Sequence, residues 1–91
     1  MVCRDYSLDV SAVQVYIKNS DGSLREQIRK KLLKVKQDPM VGETKSHESA
    51  GIRAVKVNKQ KIVILYKVNQ DLCQIIFICI GSHDDCYKRT F

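Results

Sequence analysis

The sequence lacks the features that mark membrane-spanning, secreted or zinc-binding chains. Its longest strongly apolar run, residues 75–80, is far too short to span a bilayer. No basic stretch followed by an apolar segment opens the chain, so no signal peptide is expected. No C-x-x-C pair occurs among Cys3, Cys73, Cys79 and Cys86. These absences favour a cytoplasmic location, where we expect reduced cysteines.

Proline and glycine are also scarce, with one Pro and four Gly in 91 residues. No repeat, low-complexity tract or linker is visible, and we expect a single domain over residues 1–91. Apolar residues make up 44% of the chain, enough for one small core. Because so short a domain buries a limited share of its surface, a partner that covers apolar side chains would add to its stability.

Positive charge is in excess, with 16 Lys and Arg against 10 Asp and Glu and a net charge of +6. Such a chain attracts polyanions, which include nucleic acid, an acidic protein segment and a membrane surface. The alternative is a protein that is basic for solubility alone, and charge by itself does not decide between them.

The first half of the chain has helical patterning. Alternating apolar residues predict a short strand over residues 6–10, and Ser11 is expected to cap a helix over residues 12–19. Ser23 and Glu26 match the capping box of a second helix, which ends before Pro39. This second helix carries one apolar stripe: Leu24, Ile28, Leu32 and Val35.

The second half is rich in strands. A polar loop over residues 40–50 precedes predicted strands over residues 52–57, 61–68 and 72–80, joined by turns short enough for hairpins. The last strand is apolar on both faces, so helices should cover one face, and the other face is either covered as well or forms a concave groove. The pattern predicts a two-layer α+β domain of order β-α-α-β-β-β.

A glycine turn at Gly81 presents His83 and Tyr87 just beyond the last strand. Their spacing of four residues would place both on one side if the tail makes a helical turn. Histidine titrates nearest neutral pH and can act as an acid or a base. The alternative is an exposed surface histidine with Tyr87 packed at the edge of the core.

A second candidate group lies on and after the strand over residues 52–57. Arg53 and Lys56 are three residues apart, so regular pleating points them to opposite faces, and Lys59 and Lys61 add charge at the following turn. They form either a strip that grips phosphates beside His83 or lysines that protect a solvated sheet edge.

The remaining histidine and the nearby acidic residues are assigned no function. His47 lies in the polar loop and is expected to be solvated. Asp84 and Asp85 adjoin His83, but neighbouring side chains rarely all face one ion, so we expect no metal site.

Four segments together resemble the RelE/ParE superfamily of toxins, and most closely its YafQ-like branch. The likeness covers essentially the whole chain in order and length. The segments are Asp38-Pro39 at the end of a basic helix, Gly51-x-Arg53, Ile64-Leu65-Tyr66-Lys67-Val68, and Ile80-Gly81-Ser82-His83-x-x-x-Tyr87.

The resemblance implies one strand, two helices on one face and a curved antiparallel sheet. It implies a ribosome-dependent endoribonuclease that cuts mRNA in the A site and is neutralised by a cognate antitoxin, without a cofactor, small-molecule ligand or membrane. His83 and Tyr87 match functional positions of the YafQ-like branch. Lys56 stands where that branch has a catalytic histidine, Gln60 where it has an acidic residue, and Val63 where other branches have an arginine.

Our hypothesis is that an RNA 2′-OH attacks the adjacent phosphate. His83 would serve as acid or base, Arg53 and Lys56 would stabilise charge, and Tyr87 would stack on a base. Further RNA contacts are expected from Lys59, Lys61, Lys88 and Arg89. The alternatives are a ParE-like toxin that inhibits a topoisomerase and a degenerate homologue that only binds its antitoxin.

Overall fold

The computed structural model describes residues 3–44 and 51–90, and His47 lies outside them. No helix within those ranges is long and apolar enough to cross a membrane. The elements, in chain order, are β1 (Ser7–Asp9), α1 (Gln14–Asn19), α2 (Gly22–Gln37), β2 (Glu43–Thr44), β3 (Ile52–Val57), β4 (Ile62–Asn69), β5 (Gln74–Ser82) and α3 (His83–Thr90).

The strands form one sheet in the order β1-β5-β4-β3-β2. The predicted meander is confirmed, since β3, β4 and β5 pair antiparallel, whereas β1 lies parallel to β5. The predicted α+β class and the two helices on one face are also confirmed. The structure adds two elements to the predicted order: β2, which pairs with β3, and α3, which follows β5 directly.

The second helix is confirmed, but its predicted capping box is wrong. Asp21 is the N-cap, and its Oδ1 accepts a hydrogen bond from the Leu24 amide at 2.8 Å. Asp21 has the extended backbone that an N-cap needs, so the helix already begins at Gly22 and Ser23 lies inside it. The apolar stripe meets the sheet through its buried residues Ile28, Leu32 and Val35.

The first helix begins at Gln14, later than predicted, and Ser11 does not cap it. The Ser11 hydroxyl and amide both donate to Asp9 Oδ1, at 2.7 Å and 3.1 Å. These two hydrogen bonds stabilise the carboxylate and lower the pKa of Asp9. Ser11 therefore closes a turn after β1, and Val13 precedes α1 without a side-chain cap.

The sheet is covered on both faces. On one face α1 and α2 pack over the larger core cluster, and on the other α3 packs over a smaller one. The first cluster includes Ile28, Val35, Val55, Ile64, Tyr66, Ile75 and Phe77. The second consists of Ala54, Val63, Leu65, Cys79 and Cys86, with Ile52 and Ile78 at its margin. The expected cover of the second face is thus α3.

The expectation of reduced cysteines is wrong for Cys3 and Cys73, which form a disulfide with their Cα atoms 5.6 Å apart. The parallel pairing of β1 with the start of β5 explains the contact, because it carries the beginning of the chain to the β4–β5 turn. The Ser7 amide donates to the Cys73 carbonyl oxygen there, at 2.9 Å. A separation of 70 residues left no local sequence signal for this bond.

Candidate functional site

Helix α3 starts where β5 ends, and Ser82 stabilises the junction. Its Oγ accepts a hydrogen bond from the Asp85 amide at 3.2 Å, which is the contact an N-cap makes. Asp84 and Asp85 lie in the first turn, where negative charge interacts favourably with the helix dipole. His83 is consequently held as the first residue of a helix, although the sequence predicted no more than a turn.

His83 and Tyr87 lie together on α3, as their spacing predicted. Their ring centroids are 4.0 Å apart with an interplanar angle of 34°. The His83 side chain is 62% exposed, and its Nδ1 lies 3.8 Å from Asp84 Oδ1, so the two form an ion pair when the imidazole is protonated. The half-buried Tyr87 ring supports an imidazole that solvent can reach, a geometry suited to proton transfer with a bound molecule.

One side chain anchors this helix to the sheet. Among residues 83–88, only Cys86 is fully buried, and its Sγ lies 2.7 Å from Cys79 Sγ on β5 and 3.9 Å from the Val63 carbonyl oxygen. Tyr16 of α1 approaches the same junction, where burial, followed by the effects of Cys86 and Asp85, raises its pKa. Neither Tyr16 nor Cys86 was expected in this region from the sequence.

Lys56 shares the sheet face and the sheet end with the start of α3. Lys56 pairs with Val63 on β4, and Val63 pairs with Gly81 on β5, which puts Lys56 two strands, or about 10 Å, from Gly81. Its side chain is exposed, as are Lys59 and Lys61 at the adjoining turn. This end of the sheet therefore presents several lysines beside His83.

Arg53 is not part of that group. It pairs with Tyr66, on the face that α1 and α2 cover, and its Nη1 donates to the carbonyl oxygens of Gly42 at 2.8 Å and Met40 at 3.4 Å. Regular pleating without a bulge in β3 keeps Arg53 and Lys56 on opposite faces. The structure thus corrects the expectation that Arg53 stabilises charge beside His83, because its guanidinium holds the segment after α2.

Tyr66 completes this support on the same face. Its hydroxyl donates to the Pro39 carbonyl oxygen at 2.8 Å and accepts from the Gly42 amide at 3.0 Å. Burial raises the pKa of Tyr66. A Cβ at Gly42 would lie 2.6 Å from the Tyr66 hydroxyl oxygen, so the close approach requires glycine. The only sequence signal for this network was a tyrosine that directly follows the apolar residues 62–65 of β4.

The other predicted RNA-binding residues lie on α3. Lys88 is exposed and follows Tyr87 directly, and Arg89 belongs to the same helix. In the part of the chain that the structure describes, no three His, Cys, Asp or Glu side chains are grouped so that they could hold a metal ion.

Comparison with protein families identifies the chain. Residues 8–90 match the ParE-like toxin of type II bacterial toxin–antitoxin systems. The chain belongs to this toxin family. The match spans β1 to α3 and so includes His83, Tyr87 and Lys56. The comparison with curated proteins found no match to the toxin.

Solved structures of RelE toxins share the fold of this toxin. The isolated E. coli RelE toxin superposes with a TM-score of 0.72 and 19% identity, over 94% of this chain and 99% of that one. A chain of the intact E. coli RelBE toxin–antitoxin complex superposes with a TM-score of 0.73 and 22% identity, over 85% of this chain and 95% of that one. A chain of the Mycobacterium tuberculosis RelBE2 complex superposes with a TM-score of 0.71 and 11% identity, over 87% of this chain and 99% of that one.

Proposed function

We propose that this toxin is a ribosome-dependent endoribonuclease of the YafQ-like branch, which cuts mRNA in the ribosomal A site. The observation that carries the proposal is the exposed His83 paired with the half-buried Tyr87 on α3, at the lysine-rich end of the sheet. An accessible imidazole beside an aromatic ring and cationic groups is suited to the phosphodiester of an unpaired RNA strand.

In the proposed reaction the 2′-hydroxyl loses its proton to a base while its oxygen attacks the adjacent phosphorus. The bond from phosphorus to the 5′ oxygen breaks, an acid protonates that oxygen, and a 2′,3′-cyclic phosphate remains. His83 supplies the base or the acid, a contribution of about 10²–10⁴-fold in rate. Lys56 stabilises the charge of the phosphorane, and Tyr87 stacks on a base. Arg53 acts indirectly, through the segment that it holds.

The exposed lysines extend the proposed RNA contact. Lys59 and Lys61 lie beside Lys56, and Lys88 and Arg89 follow Tyr87 on α3. Cations in these places would bind backbone phosphates and fix the register of the strand without reading its sequence. Because counterions are released on binding, we expect the affinity for ribosomes to fall as salt rises.

We further propose a cognate antitoxin as the partner in a cytoplasmic toxin–antitoxin module. The toxins of similar fold were solved in complexes with antitoxins, RelBE and RelBE2 among them. Large apolar side chains are exposed on the toxin surface, and a bound partner would remove them from water. They are Val15, Leu33, Met40, Val41 and Leu72. An acidic cognate partner should raise the melting temperature through mass action, and an unchanged value with the partner in excess would contradict the pairing.

The experiment that tests the enzyme is cleavage of mRNA on translating ribosomes by the wild type and by His83→Gln. Glutamine hydrogen-bonds but does not titrate, so cleavage should be lost while folding and antitoxin binding persist. Full cleavage by a folded His83→Gln protein would overturn the role of His83.

A second function is favoured by the family that the chain matches, which is described as ParE-like. Such a toxin would inhibit a topoisomerase without cutting RNA. Supercoiling assays with the purified toxin separate the two readings: inhibition without mRNA cleavage supports the second function. A toxin that binds an antitoxin but does neither would be a degenerate homologue.

A further inference from the structure

Two cysteine sulfurs meet at the base of α3, in a place that the proposed RNA chemistry does not use. Cys79 Sγ on β5 and Cys86 Sγ on α3 are 2.7 Å apart, and both residues are thiols in this structure. A disulfide requires a sulfur–sulfur separation of about 2.05 Å. A movement of well under one ångström would therefore bring the two sulfurs to bonding distance.

Because of where this pair lies, a bond between its sulfurs would restrict the motion of α3. Cys86 is the fully buried side chain that seats residues 83–88 on the sheet, and His83 and Tyr87 lie on the same helix. Among residues 83–88 the exposed side chains are polar, which leaves Cys86 and the half-buried Tyr87 for apolar contacts. Elements of that kind open locally at low free-energy cost. A covalent bond at Cys86 would remove that opening.

We propose that Cys79 and Cys86 form a reversible redox site, in which oxidation to a disulfide joins α3 covalently to β5. The oxidant belongs to the class of low-molecular-weight disulfides, for which oxidised glutathione serves as the probe. The pairing itself stands on the contact between the two sulfurs. It does not depend on the proposed mRNA cleavage.

The chemistry is thiol–disulfide exchange in two steps. The Cys79 thiolate attacks one sulfur of glutathione disulfide, breaks its S–S bond and releases one glutathione thiolate, which takes up a proton. The Cys86 thiolate then attacks Cys79 Sγ in the mixed disulfide and releases the second glutathione. Two protein thiols are oxidised, one small disulfide is reduced to two thiols, and the protons pass to the released glutathione molecules.

The structure offers a route for the first step. Cys79 lines an open groove of about 640 Å³ between α1 and β5, together with Val15, Tyr16 and Ile78. Within residues 3–44 and 51–90, β1 pairs with residues 74–76 of β5, and no strand pairs with β5 beside Cys79 on that side. Cys79 is buried but keeps 7% of its surface exposed, whereas Cys86 is fully buried and does not line the groove. This difference in exposure makes Cys79 the attacking thiol.

The test begins with the full chain carrying Cys3→Ser and Cys73→Ser, so that only Cys79 and Cys86 remain. After incubation with oxidised glutathione, denaturation and alkylation, tryptic peptide 68–88 should carry no alkyl group and weigh about 2 Da less than its dithiol form. If the double variant does not fold, the wild-type chain provides the same measurement. Its peptide 68–88 stays joined to the Cys3 peptide through the Cys3–Cys73 disulfide. Two alkylated cysteines at equilibrium with excess oxidant would overturn the proposal in either protein.

Amide hydrogen exchange then tests the effect on α3. Oxidation should slow exchange of the amides of residues 84–88 by at least about tenfold, since the bond closes a short loop across the junction. In Cys79→Ala the same oxidant should change nothing. Disulfide formation without slower exchange would refute the control of α3 by this pair. Both measurements are independent of mRNA cleavage, so they can succeed where the proposed enzyme function fails.

Discussion

The guanidinium of Arg53 donates to the carbonyl oxygen of Gly42 at 2.8 Å, on the sheet face opposite Lys56. Two cations that are three residues apart on one strand thus have different tasks. One fixes the backbone that follows α2, and the other lies exposed beside the start of α3. Substitution of Arg53 should therefore affect the stability of the fold, and substitution of Lys56 the binding of ribosomes.

Replacing Arg53 with methionine should destabilise the fold. The change removes the hydrogen bonds to Gly42 and Met40 and leaves a partly buried carbonyl oxygen unsatisfied, at a cost of about 1–3 kcal/mol. Urea denaturation measures this cost, and Lys56→Met, which alters an exposed side chain, is the matched control. Equal stability of Arg53→Met and the wild type would show that the contact contributes nothing.

Lys56→Met should instead change the salt dependence of ribosome binding. Loss of one phosphate contact lowers the slope of log affinity against log salt by about 0.7–0.9. Arg53→Met should leave that slope unchanged, because its side chain lies on the other face. Binding measured across a salt series checks both, and a reduced slope in Arg53→Met alone would reverse the assignment of the two cations.

Tyr66→Phe should destabilise the chain near neutral pH. The substitution keeps the buried ring but removes the hydroxyl that bonds Pro39 and Gly42, and the loss should be about 1–3 kcal/mol. Chemical denaturation of both proteins gives the difference. Tyr6→Phe, at a half-buried position near the start of the chain, is the control for loss of a phenol alone.

Because of the buried Tyr66 phenol, we expect the folded state to lose stability at alkaline pH. Burial raises the pKa of Tyr66 above its ordinary value of 10.0, so the folded state retains the phenolic proton more tightly than the unfolded state. This contribution is complete below about pH 10 and is lost as pH rises through the folded pKa. The stability gap between wild type and Tyr66→Phe should therefore narrow above about pH 10. A constant gap across that range would contradict the buried phenol.

Removing the Cys3–Cys73 disulfide by Cys3→Ser with Cys73→Ser should lower the free energy of unfolding by about 2–4 kcal/mol, since the bond closes a long loop. Urea denaturation with and without a reductant measures the effect. The wild type should lose stability in the reductant, whereas the double variant should not respond. If the reductant lowered the stability of both proteins equally, the effect would belong to another pair of cysteines.

The sequence by itself determined the elements whose signals are local. Apolar periodicity located α2 and its buried stripe, and two short turns between β-rich runs specified the meander of β3, β4 and β5. The spacing of His83 and Tyr87 placed them on one side on the condition that the tail is helical, because successive turns repeat every 3.6 residues, and the structure supplied that helix. Strand pleating likewise separated Arg53 from Lys56 before any contact was known.

The tertiary structure alone decided what depends on segments far apart in the chain. The Cys3–Cys73 disulfide joins residues 70 positions apart, and the hydrogen bond from Tyr66 to Pro39 joins residues 27 positions apart. The cover of the second sheet face by α3 rests on Cys86, whose partners lie on β4 and β5. Such contacts leave no periodicity to read, since they are fixed by how the sheet brings its strands together rather than by the neighbours of each residue.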